Sequence, residues 1–99
     1  MTIDFLAITV GSNLTTLANS GLEISCPTAG FPKPSIQWYR HGNPVQPSMM
    51  LNVDQETGSL FLLSISYRKG GMFTCEASNA LGSDRASSLV TVRGENRIR

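Results

Sequence analysis

Leu22-Glu23-Ile24-Ser25-Cys26-Pro27-Thr28-Ala29-Gly30-Phe31-Pro32-Lys33-Pro34-Ser35-Ile36-Gln37-Trp38 is the stretch on which the fold turns. Leu22, Ile24 and Cys26 alternate with Glu23 and Ser25, which puts the first three on one face of a β-strand. Pro27 to Pro34 holds three prolines and a glycine. That segment is a loop, because proline cannot donate to a strand ladder. Ile36 and Trp38 then resume the alternation on a second strand.

The same rhythm extends in both directions. Upstream, Ile3 to Val10 reads as a first strand, with a break at Gly11-Ser12. Asn13 to Leu17 is expected to continue along an edge, and Ala18-Asn19-Ser20-Gly21 is a turn. Downstream, His41-Gly42-Asn43-Pro44 is a turn. Met49, Leu51 and Val53 alternate, and Gly58 ends a turn that starts at Asp54. Leu60, Leu62 and Ile65 point inward, Arg68-Lys69-Gly70-Gly71 makes a corner, and Phe73, Cys75 and Ala77 continue the inward face. Asn79-Ala80-Leu81-Gly82 is a hairpin turn before Ala86, Ser88, Val90 and Val92. No window repeats apolar residues at helical spacing. The chain is all-β, with about seven or eight short strands between turns, the pattern of a sandwich or barrel.

Length sets the scale. The 99 residues make one domain, 1–99, with a core over about 3–93 and a polar tail at 94–99 that is expected to fray. A domain this small buries only about two-thirds of the surface its unfolded chain exposes, so a covalent staple matters. Cys26 and Cys75 are the two cysteines, and with His41 as the single histidine they give no zinc spacing. A disulfide is the better reading. It closes a loop of about 50 residues, contributes about 4 kcal/mol through chain entropy, and implies an oxidising compartment. No apolar run approaches a membrane span of about 20 residues, so no direct membrane insertion is expected. Met1 leads into Thr2-Ile3-Asp4 with neither a basic start nor an apolar stretch. No signal peptide is read there, and the segment is expected to lie inside a longer polypeptide.

The order Cys26, Trp38, Cys75 resembles the pin of antibody-like domains, in which two cysteines bridge the sheets and a tryptophan packs on the sulfurs. Further stretches resemble the I-set of the immunoglobulin superfamily. Gly30 to Trp38 is similar to its G-x-P-x-P-x-I-x-W stretch, and Ser59-Leu60-Phe61-Leu62 to the strand before its corner. Gly71-Met72-Phe73-Thr74-Cys75, with Ala77 and Asn79 to Gly82, is similar to G-x-Y-x-C-x-A-x-N-x-x-G. The resemblance implies an immunoglobulin-like antiparallel sandwich of two sheets, I-set type, with one inter-sheet disulfide, Cys26–Cys75. Two positions depart from the family. Phe73 stands for the usual tyrosine, forgoing a corner hydrogen bond worth about 1 kcal/mol. Lys69 stands for the usual aspartate. The corner is therefore expected to be held differently, and more loosely at Gly70-Gly71.

No catalytic constellation appears, and the domain is not read as an enzyme. His41, the only candidate base for a triad, sits in a turn. Asp54 and Glu56 share a solvated loop, where pKa values shift too little for acid–base work. No phosphate-cradling motif occurs. Trp38 and Phe73 belong to the core and cannot stack on bases, so no nucleic acid is expected. No cofactor and no metal are implied.

The candidate functional features are surface ones. Net charge is only +1. The I-set topology that the resemblance implies nevertheless sends Arg40, His41, Arg68, Lys69, Arg93, Arg97 and Arg99 to one pole, with Glu95 as the nearby acid. Asp4, Asp54, Glu56 and Asp84, with Lys33 and Arg85, go to the other. Such a pole suits an acidic surface: an adjacent domain, another protein or a sulfated glycan. The plainer reading is solvated ends and a polar tail. Asn13-Leu14-Thr15 fits the N-glycosylation rule, and a sugar there would shield the early edge strand. Phe31 and Leu81 are apolar loop tips suited to contact with a preceding domain or a ligand. Of the adjacent Met49 and Met50, one faces inward and the other adds an apolar spot to an edge, upstream of which Pro44 and Pro47 stand guard.

The expected role is a non-catalytic interaction, adhesion or spacer module of a larger extracellular or matrix protein, monomeric in isolation. The competing role is an intracellular structural domain of a muscle-type filament protein, with both cysteines as thiols in the core.

Overall fold

The computed structural model describes residues 5–28, 30 and 32–94. Nine strands form among the described residues: β1 (Phe5–Thr9), β2 (Leu14–Leu17), β3 (Ser20–Ser25), β4 (Ser35–Arg40), β5 (Asn43–Pro44), β6 (Leu51–Val53), β7 (Leu60–Ile65), β8 (Gly71–Asn79) and β9 (Gly82–Arg93). A 3₁₀ turn, Tyr67–Lys69, precedes β8. The strands make two sheets, ordered β1-β3-β7-β6 and β2-β9-β8-β4-β5.

Alternation explains which side chains meet between the sheets. Leu22, Ile24, Cys26, Trp38, Leu60, Leu62, Ile65, Phe73, Cys75, Val90 and Val92 are buried. Each such side chain contributes about 1.5–3 kcal/mol on removal from water, so this layer drives folding. Ser88 is also buried, but its Oγ accepts a hydrogen bond from the Gly11 N–H at 2.9 Å. Cys26 and Cys75 are bonded, with Cα atoms 6.5 Å apart. Trp38 lies opposite Cys75 in the β4–β8 register. Its indole N–H donates to the Gly58 carbonyl at 2.6 Å, which ties the β6–β7 turn to the core.

Three expectations change. Asn13 to Leu17 does lie at an edge, but of the other sheet, and it does not continue the first strand. The Ser12 N–H bonds to the Thr9 carbonyl, Gly11 takes φ 106°, and the chain reverses. β1 consequently pairs parallel with β3, and β2 pairs parallel with β9 in the other sheet. The remaining pairings are antiparallel. Second, neither methionine of the Met49–Met50 pair faces inward. Both are exposed, Met49 at 90%, because β6 begins only at Leu51. Third, Asn43-Pro44 is a short strand rather than turn. His41 (φ 51°) and Gly42 (φ 83°) supply the two left-handed residues of a tight hairpin, which pairs Arg40 with Asn43.

Candidate functional site

Strand parity puts Arg40, two residues after the buried Trp38, on the inward side of β4 at the end of the sandwich. Its guanidinium turns onto the corner before β8. Nε donates to the Gly70 carbonyl at 3.1 Å, and Nη2 donates to the Gly70 and Arg68 carbonyls at 2.7 and 2.9 Å. The corner is therefore held from β4 by a cation. Nor are its glycines loose. A Cβ on Gly70 would stand 2.6 Å from the Val90 carbonyl oxygen, and one on Gly71 (φ 126°) would overlap the His41 ring. Both residues are small because backbone and ring approach them closely. The expectation of a slack corner is overturned. The sequence held only part of the signal: Arg40 shares parity with Trp38, but the carbonyl it grips is 30 residues away.

The same end collects the other basic residues. The His41 N–H bonds to the Met72 carbonyl, and Gly71 lies opposite Val90, three residues before Arg93. The 3₁₀ turn brings Arg68 and Lys69 beside them. His41, Arg68, Lys69 and Arg93 are exposed, and none forms an ion pair among the described residues. No carboxylate occupies a described turn at this end. Arg40 is the exception in the group, being committed to the corner. Arg97 and Arg99, with Glu95 and Asp4, lie outside the described residues.

The opposite end carries Asp54, Glu56 and Asp84 with Lys33 and Arg85, and hydrogen bonds brace its turns. Asp54 Oδ1 accepts from the Glu56 and Thr57 backbone N–H groups at 2.8 and 3.2 Å. Those two hydrogen bonds hold the Asp54 carboxyl below the usual carboxylate range. Lys33 Nζ reaches the Glu56 carbonyl at 3.5 Å. Asn79 cross-links two loops: Nδ2 donates to the Pro32 carbonyl, and Oδ1 accepts from the Leu81 N–H. Leu81, 82% exposed, is thus presented on a braced tip. Phe31, the other expected tip, lies outside the described residues.

One cluster went unnoticed in the sequence. On the outer face of the five-stranded sheet, the Tyr39 hydroxyl donates to Glu76 Oε1 at 3.2 Å. Arg85 Nε pairs with Glu76 Oε2 at 3.2 Å, and its guanidinium lies 5.8 Å from the Tyr39 ring centre. The bond to Glu76 comes first in raising the Tyr39 pKa above the usual phenol value. Only the register Gln37–Glu76–Arg85 unites these residues, and registry is not readable from one strand. Asn13 is exposed, and its Oδ1 accepts from the Leu89 N–H at 3.0 Å. A cleft of about 300 Å³ opens beside β5 and β6, lined by Val45, Leu51, Leu62 and Phe73 together with Arg40 and Lys69. No group of three or more described His, Cys, Asp or Glu residues could hold a metal ion.

Comparison with known proteins agrees with this architecture. The Immunoglobulin I-set domain profile matches residues 6–92. Hemicentin-2 of Mus musculus is 36% identical over 86% of the chain, and Neural cell adhesion molecule L1 of Homo sapiens 35% identical over 82%. Vascular endothelial growth factor receptor 2 of Rattus norvegicus is 30% identical over 83%. The chain spans 2%, 6% and 6% of the lengths of these three proteins. Among solved structures, the titin domains z1z2 in complex with telethonin superpose with a TM-score of 0.81 at 24% identity, covering 88% of this chain and 45% of that one. The Titin M10–Obscurin like 1 Ig complex gives 0.80 at 24% identity, covering 87% and 90%. With its disulfide, its tryptophan pin and this match over nearly its whole length, the chain belongs to the immunoglobulin I-set domain family.

Proposed function

We propose that this domain is a non-catalytic interaction, adhesion or spacer module of a larger extracellular protein, and that it meets an acidic protein surface through the end bearing His41, Arg68, Lys69 and Arg93. The observation that carries the reading is the segregation of charge. His41, Arg68, Lys69 and Arg93, exposed and without ion pairs among the described residues, gather at one end, while Asp54, Glu56 and Asp84 lie toward the other with Lys33 and Arg85. A nearly neutral molecule built this way is a charge dipole, which orients a partner and speeds encounter. Relatives above 30% identity support the compartment, since one is named as an adhesion molecule. The two solved complexes support protein partners, since each holds this fold against another protein.

Two measurements test the proposal. Retention on heparin resin, a polyanion probe, is expected at low salt and should weaken as the Debye length shrinks toward about 8 Å at physiological ionic strength. Arg68→Ala with Lys69→Ala should elute earlier, with unchanged circular dichroism. Absence of retention at low salt defeats the acidic-surface reading. Stronger binding to heparin than to an acidic protein column would identify a sulfated glycan as the acceptor. Mass measurement of thiols in protein taken from its native compartment addresses location. Two free thiols there would restore the intracellular filament role.

A further inference from the structure

We infer that Asn13 carries an N-linked glycan, and that this glycan lies across the apolar pair Leu89 and Met72, covering the β2 side of the outer face of the five-stranded sheet. The inference rests on the extracellular reading above. It starts from Asn13-Leu14-Thr15, an Asn-X-Thr acceptor without proline at X. In the folded domain the Asn13 Oδ1 accepts from the Leu89 N–H at 3.0 Å. A backbone N–H only donates, so the carboxamide oxygen must be the atom facing it. The amide nitrogen, to which a sugar is joined, points away from that contact. It has no hydrogen-bond partner among the described residues. N-glycosylation leaves the carbonyl oxygen in place, so the same bond aims the first sugar.

Strand parity places that sugar over apolar surface. Leu14 and Thr16 lie opposite the buried Val90 and Val92. Asn13, Thr15 and Leu17 therefore face outward, with Leu89, Thr91 and Arg93. Met72 is the register partner of Leu89 on the next strand. Leu89 and Met72, level with Asn13, are each 40% exposed. With strands about 4.8 Å apart, Met72 lies two spacings, or about 10 Å, from the β2 edge. The first two N-acetylglucosamine units are long enough to cross that distance. Around Leu89 and Met72 stand hydroxyls: Thr15, Thr91, and the bonded pair Thr74–Ser87 at 2.8 Å. Apolar patches ringed by hydroxyls match the C–H face and hydroxyl rim of a pyranose. The glycan also covers β2, the edge strand whose outer side has no neighbour in the sheet.

The chemistry takes place before folding. Asn13 Nδ2 attacks the anomeric carbon of an oligosaccharide carried on a lipid diphosphate. A C–N bond forms as the C–O bond to the diphosphate breaks. The diphosphate leaves with the electron pair, and Nδ2 loses one proton.

Expression of the chain through a mammalian secretory pathway tests the proposal. Intact mass should show a glycan that peptide N-glycosidase removes, converting Asn13 to aspartate. Thr15→Ala should abolish it while leaving the Asn13–Leu89 bond available. Dilute peroxide then reads the cover, with the distant, 90% exposed Met49 as internal reference. Met72 should oxidise several-fold more slowly, relative to Met49, in the glycosylated protein than in T15A. A secreted, disulfide-bonded chain unmodified at Asn13 overturns this inference and leaves the extracellular reading standing. So does a glycosylated chain in which the Met72 to Met49 ratio is unchanged. Free thiols in the native compartment would remove both.

Discussion

At Arg40 one guanidinium meets two carbonyls of a corner that lacks its family's usual tyrosine and aspartate. Charge-assisted bonds of this kind outweigh neutral ones, and removing the donor leaves acceptors unpaired at a half-buried site. Arg40→Met is therefore expected to cost about 2 kcal/mol, lowering the melting temperature by about 10 °C in a domain of this size. Arg40→Lys should recover only part, because an ammonium lacks the planar fork. Thermal unfolding followed by circular dichroism decides this, and an unchanged R40M transition refutes the clamp. Asp54 makes a second prediction, one of pH. Its folded-state pKa is depressed by the Glu56 and Thr57 N–H groups. Its stabilisation is thus complete above the unfolded value of about 3.9 and is lost as pH falls through the lower folded value. Urea unfolding at a series of acidic pH values should show a shallower decline in Asp54→Asn, which keeps an oxygen acceptor without the titration. Neither role could be seen in the sequence beyond parity and turn chemistry. An inward Arg40 was implied by Trp38 two positions earlier, but its target lay 30 residues away across the fold.

Among the elements, the β6–β7 turn shows how a local motif and a distant strand share one constraint. Gly58 has φ 78°, its carbonyl accepts the Trp38 indole proton, and a Cβ there would overlap the Ile36 side chain. Gly58→Ala should cost more than the roughly 1–3 kcal/mol of a strained left-handed residue, because Ile36 must also move. Gly42→Ala is the control. Gly42 has φ 83° but nothing within 4 Å of the added carbon, so it carries the backbone cost alone. Equal losses for the two variants in denaturant unfolding would show that Ile36 yields freely. The strands themselves were largely legible. Alternation marked Leu22–Cys26, Ile36–Trp38, Leu60–Leu62 and Phe73–Cys75, all of which line the core except the half-buried Ile36. Met49 misled because period two continues on paper past the point where pairing begins. β6 starts only at Leu51, where the ladder with Leu62 opens.

For the molecule as a whole, Cys26–Cys75 links the two sheets across a sequence separation of 49 residues. Loss of that link is expected to cost about 4 kcal/mol through the entropy of the unfolded chain. Urea midpoints measured with and without reductant check this. A midpoint unmoved by reduction would mean that packing around Trp38 suffices alone. By itself the amino-acid order determined the all-β class, and its resemblance to the I-set implied the sandwich and the sulfur pair with its tryptophan. The class follows from side-chain periodicity and turn residues, which are properties of neighbouring positions. Only the tertiary structure decided that the chain reverses at Gly11 so that β1 and β2 join different sheets. It also decided that Arg40 grips the corner, that Tyr39, Glu76 and Arg85 meet, and that Asn13 stands beside Leu89. Each of these is a contact between residues far apart in the chain, and its geometry exists only once two strands have chosen each other and their register.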